Sequence, residues 1–210
     1  MDLGDEDYKV EPTQYSSQLT QYAFWASADF RMQTGVILLD KRQERVFFVK
    51  NGRLGVKTFP RGESGNIDAL LGSPVLCANA MCGYKCDRLG LPVLTKEYRE
   101  PDHKAVARVK DELSDDPFNV TFDTLWDHTT GEKWAQGYQL ITYWYAAVVD
   151  WDHPLSDISR RDPTAEWVPL KDAPAMLEGK DEMGSISFTV FRQLWDHLKR
   201  SGDGRTRVLV

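Results

Sequence analysis

Residues 137–150, GYQLITYWYAAVVD, constrain the fold more than any other stretch of the chain. A β-strand sends successive side chains to opposite faces. Leu140, Trp144 and Val148 therefore fall on one side, and Ile141, Tyr145 and Val149 on the other. Both sets are apolar, which predicts a central strand with material packed against each face. The run before it, PFNVTFDTLWD (117–127), is also β-prone, and the polar connector between them holds Gly131. The two runs are expected to pair as an antiparallel hairpin.

The same reading places strands at YAFWASADF (22–30), TGVILLD (34–40) and ERVFFVKN (44–51). Asp40-Lys41-Arg42-Gln43 is a polar turn that makes the last two a hairpin. Ser73-Pro74 should open a short helix, serine as its cap and proline at its first position, which Gly83 ends. That leaves Asp68 in a loop. Residues 151–164 read as a loop, and EWVPLKDAPAML (166–177) as a short strand and a helical turn. In SISFTVFRQLWDHLKR (185–200), Ile186, Val190, Leu194, Trp195 and Leu198 form the apolar stripe of a closing helix. Strand hairpins interleaved with helices imply an α+β fold, a mixed β-sheet flanked by helices on both sides.

A chain of 210 residues suits one domain, expected over 19–200, with a polar tail or arm at 1–18 and a tail at 201–210. An aromatic content of 11% argues against disorder. The formal charge of −6 speaks against general nucleic-acid binding, which needs clustered lysine and arginine. The start, MDLGDEDYKVEP, is acidic and lacks an apolar leader core, and no run reaches the roughly 18 apolar residues of a membrane span. Cys77, Cys82 and Cys86 are odd in number and close together, which fits reduced thiols in the cytoplasm. A zinc site would need a fourth ligand, and His103, His128, His153 and His197 are scattered. No metal or other cofactor is expected. The partner expected is a small-molecule ligand rather than a nucleic acid or a membrane, with a homodimer left open.

One segment carries a more specific signal. In FPRGESGNIDALLGSPVLCANAMCGY (59–84), Gly62 and Gly83 stand 21 positions apart between a Phe-Pro-Arg-Gly entrance and a Gly-Tyr exit. With the order of elements around it, this segment resembles the box of the Nudix-fold family, and the chain is similar to the Nudix-like proteins of fungi over roughly residues 22–200. The resemblance implies a Nudix-like α/β/α sandwich. It also implies the box positions of a hydrolase of the family: a first acid at Asp68, an arginine–glutamate pair at Leu76 and Cys77, and adjacent glutamates, the usual Mg²⁺ ligands, at Ala80 and Met81. Cys, Ala and Met offer no oxygen ligand to a hard cation. The box is degenerate, and diphosphate hydrolysis by the family's route is not expected.

Leu76, Cys77, Ala80 and Met81 lie at spacings that share one broad helical face. That face is either filled core or an apolar pocket for a small organic molecule. The resemblance sets Tyr22, Phe24, Trp25 and Phe30 on one side of such a cleft and Trp126, Tyr143, Trp144 and Tyr145 on the other, with Phe24, Phe30, Trp126, Tyr143 and Tyr145 bearing on the ligand. With Cys77, Ala80 and Met81 these are the candidate substrate-binding residues. Asp29, Arg31 and His128 are the polar groups among the aromatics and the candidate catalytic residues. Lys50, Arg53, Lys57 and Arg61 add a basic entrance. Three functions follow. The first, favoured here, is a metal-independent isomerase, cyclase or lyase acting on a small apolar or aromatic metabolite. The second is a non-catalytic module binding a ligand or partner. The third is residual diphosphate hydrolysis with carboxylates recruited from Glu63, Asp68, Glu97 and Glu100.

Overall fold

The computed structural model describes residues 30–50, 55–63, 67–72, 74–99, 104–127, 136–156 and 162–201. The expected tail at 1–18, residues 22–29 of the first expected strand and residues 202–210 lie outside these. The fold is α+β, a mixed sheet with helices on both faces. At its centre lies β9 (Gln136–Pro154), which runs past the expected end of the strand into the segment read as a loop. It pairs in parallel with β1 (Phe30–Asp40) and antiparallel with β8 (Asn119–Asp127) and β5 (Tyr84–Arg88). The hairpin expected between 117–127 and 137–150 is thus present, and the apolar run is central, as its two-faced pattern requires. Beyond β1 come β2 (Arg45–Lys50) and the edge strand β10 (Glu166–Pro169), while the short β3 (Lys57–Thr58) and β4 (Arg61–Glu63) pair with β2 and β1.

Alternation divides the core. Ile37 and Leu39 of β1 join Trp144, Ala146 and Val148 of β9 on one face, against α3 (Ala173–Leu177) and α4 (Glu182–Arg200). Val36, Leu38 and Ala147 join Phe47 and Val49 on the other, against α2 (Leu76–Cys82). On α4 the expected stripe is buried at Val190, Leu194 and Trp195, but its deepest points also include Phe188 and Phe191, so the seam runs closer to the aromatics than to Ile186. A separate two-stranded ribbon, β6 (Leu91–Arg99) and β7 (Lys104–Ser114), packs Leu91, Leu94 and Val109 against the α4-side core.

The box segment differs from expectation. Asp68 lies on a short helix, α1 (Ile67–Gly72), rather than in a loop. The chain then breaks, and α2 starts at Leu76 with Val75 in the capping position and no side-chain cap. Ser73 lies outside the described residues. Pro74 accounts for the break: it lacks an N–H and disfavours helical geometry in the residue before it. Gly83 ends α2 as expected, in the left-handed region at φ 79°, its N–H bonded to the Asn79 carbonyl at 3.0 Å.

At the β1–β2 turn, Asp40 accepts from the Arg42 N–H (3.0 Å) and from Arg45 Nη2 (2.8 Å). Burial opposes its ionisation. Hydrogen bonds from Arg45, Trp151 and the Arg42 backbone outweigh that and hold the carboxyl below its ordinary 3.8. A carboxyl depressed by folding contributes stability above its unfolded pKa of about 4, and that contribution is lost as pH falls through the folded value. Asp40→Asn is expected to melt below wild type at neutral pH, with the gap closing in melts taken at progressively lower pH.

Candidate functional site

Gly62 of β4 brings the box against the sheet. A Cβ at Gly62 would lie 3.0 Å from the Cys77 Cβ and 3.7 Å from Thr34 Oγ1, so the absent side chain is what lets α2 approach β1 and β4. Thr34 therefore marks the α2 face of β1, and by alternation Phe30 and Met32 share it. Register carries the same face across the sheet: Met32 lies beside Ile141, which faces Phe122, and Thr34 lies beside Tyr143, which faces Val120. These residues form two transverse rows. Large apolar side chains there are open to solvent: Phe30 is 44% exposed, Val120 40% and Phe122 52%.

At the inner end of this surface Tyr145 is buried while Tyr143 is half-buried. Burial raises the Tyr145 phenol above its ordinary 10.0, with the Arg88 charge opposing. The phenol thus stays protonated at neutral pH. Arg88, on β5, reaches Asp115 with Nη1 (3.3 Å) and the carbonyls of Leu71 and Gly72 with Nη2 (3.4 and 3.5 Å), tying the end of α1 to the turn after β7. Neither Arg88 nor Asp115 belongs to a motif legible in the sequence. An arginine on a strand that turns out to pair with the apolar run was the available signal, but β5 was not recognised as a strand.

The four positions assigned to one face of the box helix do not behave as a unit. Ala78 and Cys82 are the buried pair, Cys77 and Met81 pack from the flanks onto the α2-side core, and Leu76 is 61% exposed. The helix is rotated so that its small residue, Ala78, enters the sheet, and Ala80 is half-buried. Burial pushes the Cys77 thiol up to about 11, with the Thr34 hydroxyl opposing, so it is no thiolate nucleophile at neutral pH. Ala78→Leu should overpack the core beneath α2 and cost about 1–3 kcal/mol. Ala80→Leu should shift the melting midpoint by only a few degrees, about what 1 kcal/mol produces in a domain of this size. Thermal melts of the two variants beside wild type check this, and a loss of ten degrees or more, by order of magnitude, for Ala80→Leu would make its surroundings filled core.

The structure brings together Phe30, Cys77, Tyr143 and Tyr145 on the α2 face, with Met81 and Ala80 on the helix above it. Arg31 is not with them. By the same alternation it belongs to the α4 face, in one row with Leu140 and Asp123, so it shares no site with the tyrosines. Trp144 likewise faces α4. Asp29, Phe24 and His128 lie outside the described residues, as does the side chain of Trp126, whose backbone on β8 pairs with Gly137 of β9. Of the basic entrance, Arg61 is committed to Asp181, with Nη2 2.6 Å from each carboxylate oxygen, and Lys57 pairs with Glu166. The recruited-carboxylate set is dispersed: Glu63 on β4, Asp68 on α1, and Glu97 on the ribbon in an ion pair with Arg108 (3.0 Å). Glu100 lies outside the described residues. Among the described residues no three His, Cys, Asp or Glu side chains converge as a metal site. Among them, too, no helix is long and apolar enough to cross a membrane.

No protein-family model and no curated protein matches the chain. Among solved structures, a Nudix hydrolase from Nitrosomonas europaea is 9% identical, with 78% of this chain aligned to 88% of that one at a TM-score of 0.41. A MutT Nudix hydrolase from Burkholderia pseudomallei is 12% identical over 76% of this chain and 96% of its own, at 0.43. The Ap4A hydrolase of C. elegans is 14% identical over 78% and 98%, at 0.40. Likenesses this distant assign neither a family nor an activity.

Proposed function

We propose that the protein is a Nudix-like domain whose box no longer serves a divalent cation, and that it takes a small apolar or aromatic molecule on the α2 face of its sheet. The supporting observation is one contiguous apolar surface, with Phe30, Val120 and Phe122 exposed and Met32, Ile141 and Tyr143 half-buried, which leads inward to Thr34, Tyr145 and the flank of α2. Apolar walls with a few polar groups at one end suit such a ligand. Any chemistry on it would be acid–base and metal-independent. The Tyr145 phenol, which keeps its proton, would donate, and the Arg88 guanidinium close by would balance charge developing on the ligand. An isomerase or lyase working by proton movement fits these groups.

A second reading is favoured by the same exposure: the rows could bury a partner surface with no catalysis. Melts recorded against a set of small aromatic compounds separate the two. A ligand at about a hundred times its Kd should stabilise by about 2.7 kcal/mol, the gain should be indifferent to Mg²⁺ or chelator, and Ile141→Asp should abolish it. Calorimetric titration with Mg²⁺ alone should give no specific heat. A stoichiometric Mg²⁺ site of micromolar affinity would restore the hydrolase, and concentration-dependent dimerisation without any ligand effect would favour the second reading.

A further inference from the structure

The last residue of α2 and the middle of β5 place two thiols in contact. Cys82 Sγ and Cys86 Sγ lie 3.5 Å apart, both residues buried, across the left-handed turn at Gly83. The Tyr84 carbonyl is 3.4 Å from the first sulfur and 3.6 Å from the second, and Asn79 Oδ1 accepts the Cys86 N–H at 3.0 Å, so the backbone between the two cysteines is held in place. The third cysteine, packed on the same core, has other contacts: the Cys77 thiol approaches the Pro74 carbonyl at 3.9 Å and lies near Thr34. A disulfide needs its sulfurs at about 2 Å. The 3.5 Å contact leaves a short gap for the two side chains to close.

We propose that Cys82 and Cys86 are a reversible redox pair whose oxidation closes a covalent ring around Gly83 and locks the end of α2 to β5. The oxidant is a low-molecular-weight disulfide of the glutathione type. One cysteine loses its proton and attacks a sulfur of the oxidant, expelling one thiolate. The second cysteine then attacks the mixed disulfide and expels the other. Two protein thiols become one disulfide, and the two protons end on the two small thiols released. The neighbouring Cys82 thiol and burial hold the Cys86 thiol well above the usual range, so the folded pair exchanges slowly and answers sustained oxidation rather than brief exposure. The proposal is independent of what the α2 face binds.

Lys85 lies between the two cysteines, which makes the bridge readable. The full chain is unfolded, refolded in a buffer of oxidised and reduced glutathione, quenched in acid, alkylated and digested with trypsin. The expected product is peptide 62–85 joined to peptide 86–88, two hydrogens lighter than the reduced pair and separated by dithiothreitol. It should persist in Cys77→Ser and vanish in Cys82→Ser. The same bridge should form in the folded protein on prolonged incubation, more slowly. A link that disappears with Cys77→Ser, glutathione adducts in place of the link, or complete alkylation of Cys82 and Cys86 after refolding at an oxidising ratio would each overturn the assignment.

Discussion

Trp144→Ala is expected to lower stability by about 3–5 kcal/mol, the largest single loss in the core. The indole is wholly buried on β9, with its Nε1 donating to Thr121 Oγ1 at 2.9 Å and its ring edge-on to Phe59 at 6.3 Å. The Arg61 guanidinium lies 5.0 Å above it. Truncation thus removes a large apolar body, strands a hydroxyl and deprives a cation of its aromatic face. The cavity would be slow to collapse, because β1 beside it is glycine at the point of contact. A Cβ on Gly35 would lie 2.5 Å from the indole Cε3. That supplies a control. Gly35→Ala alone should destabilise by overpacking, about 1–3 kcal/mol, and should cost much less once Trp144 is alanine. Urea melts of the four proteins give the coupling, and additive losses would show that the two residues do not share that space.

Asp181→Ala comes next, at about 3–5 kcal/mol, because it leaves the Arg61 charge buried without its counter-ion. The carboxylate has two tasks. It receives Arg61 Nη2 at 2.6 Å on both oxygens, and it caps α4 by accepting the Gly184 N–H at 2.9 Å. A cap alone is worth about 1 kcal/mol, so Asp181→Asn, which keeps an acceptor there but no charge, should fall between alanine and wild type. Each kcal/mol should appear as about 2–4 °C in a domain of this size. If asparagine melts with wild type, the ion pair contributes nothing and Asp181 is a cap only. Arg61 stands in the Phe-Pro-Arg-Gly entrance that looked like part of a ligand site. Its place under α4 makes it a fastener between box and closing helix.

The main sheet was legible where the signal is local. The two-faced run at 140–149 could only be central, the polar turn at 40–43 could only reverse the chain, and Gly83 could only end a helix. The ribbon at 91–114 was missed, since its second strand, KAVARVKDELS, carries charges on nearly every other position and resembles solvated surface until α4 is placed against its apolar side. The helix break is wider than a proline at a first helical position implies: Pro74 ends one helix as well as delaying the next. For the site, the aromatic content of the sheet was visible, but the face on which each aromatic lies depends on strand phase. One residue of phase separates Tyr143 from Trp144 and Phe30 from Arg31, and no local pattern sets that phase when both neighbours are apolar or both are exposed. Contacts such as Arg61–Asp181, 120 positions apart, have no local trace.

The parallel pairing of β1 with β9 bears on how the chain reaches this structure. Gln33 and Thr142, bonded side chain to side chain at 2.7 Å, are 109 positions apart. Loop closure over such a span must precede any reward from the contact, which makes assembly of the central sheet slow relative to its hairpins. During synthesis the β1–β2 hairpin emerges with the β9 edge of Val36, Ile37, Leu38 and Leu39 unpaired until the chain between Lys50 and their partners Tyr145–Val148 has been added. The nascent chain must hold an adhesive edge open for seconds at ordinary elongation rates of about 5–20 residues per second. Yield in the cell should therefore depend on chaperone supply more than on the melting temperature of the finished protein.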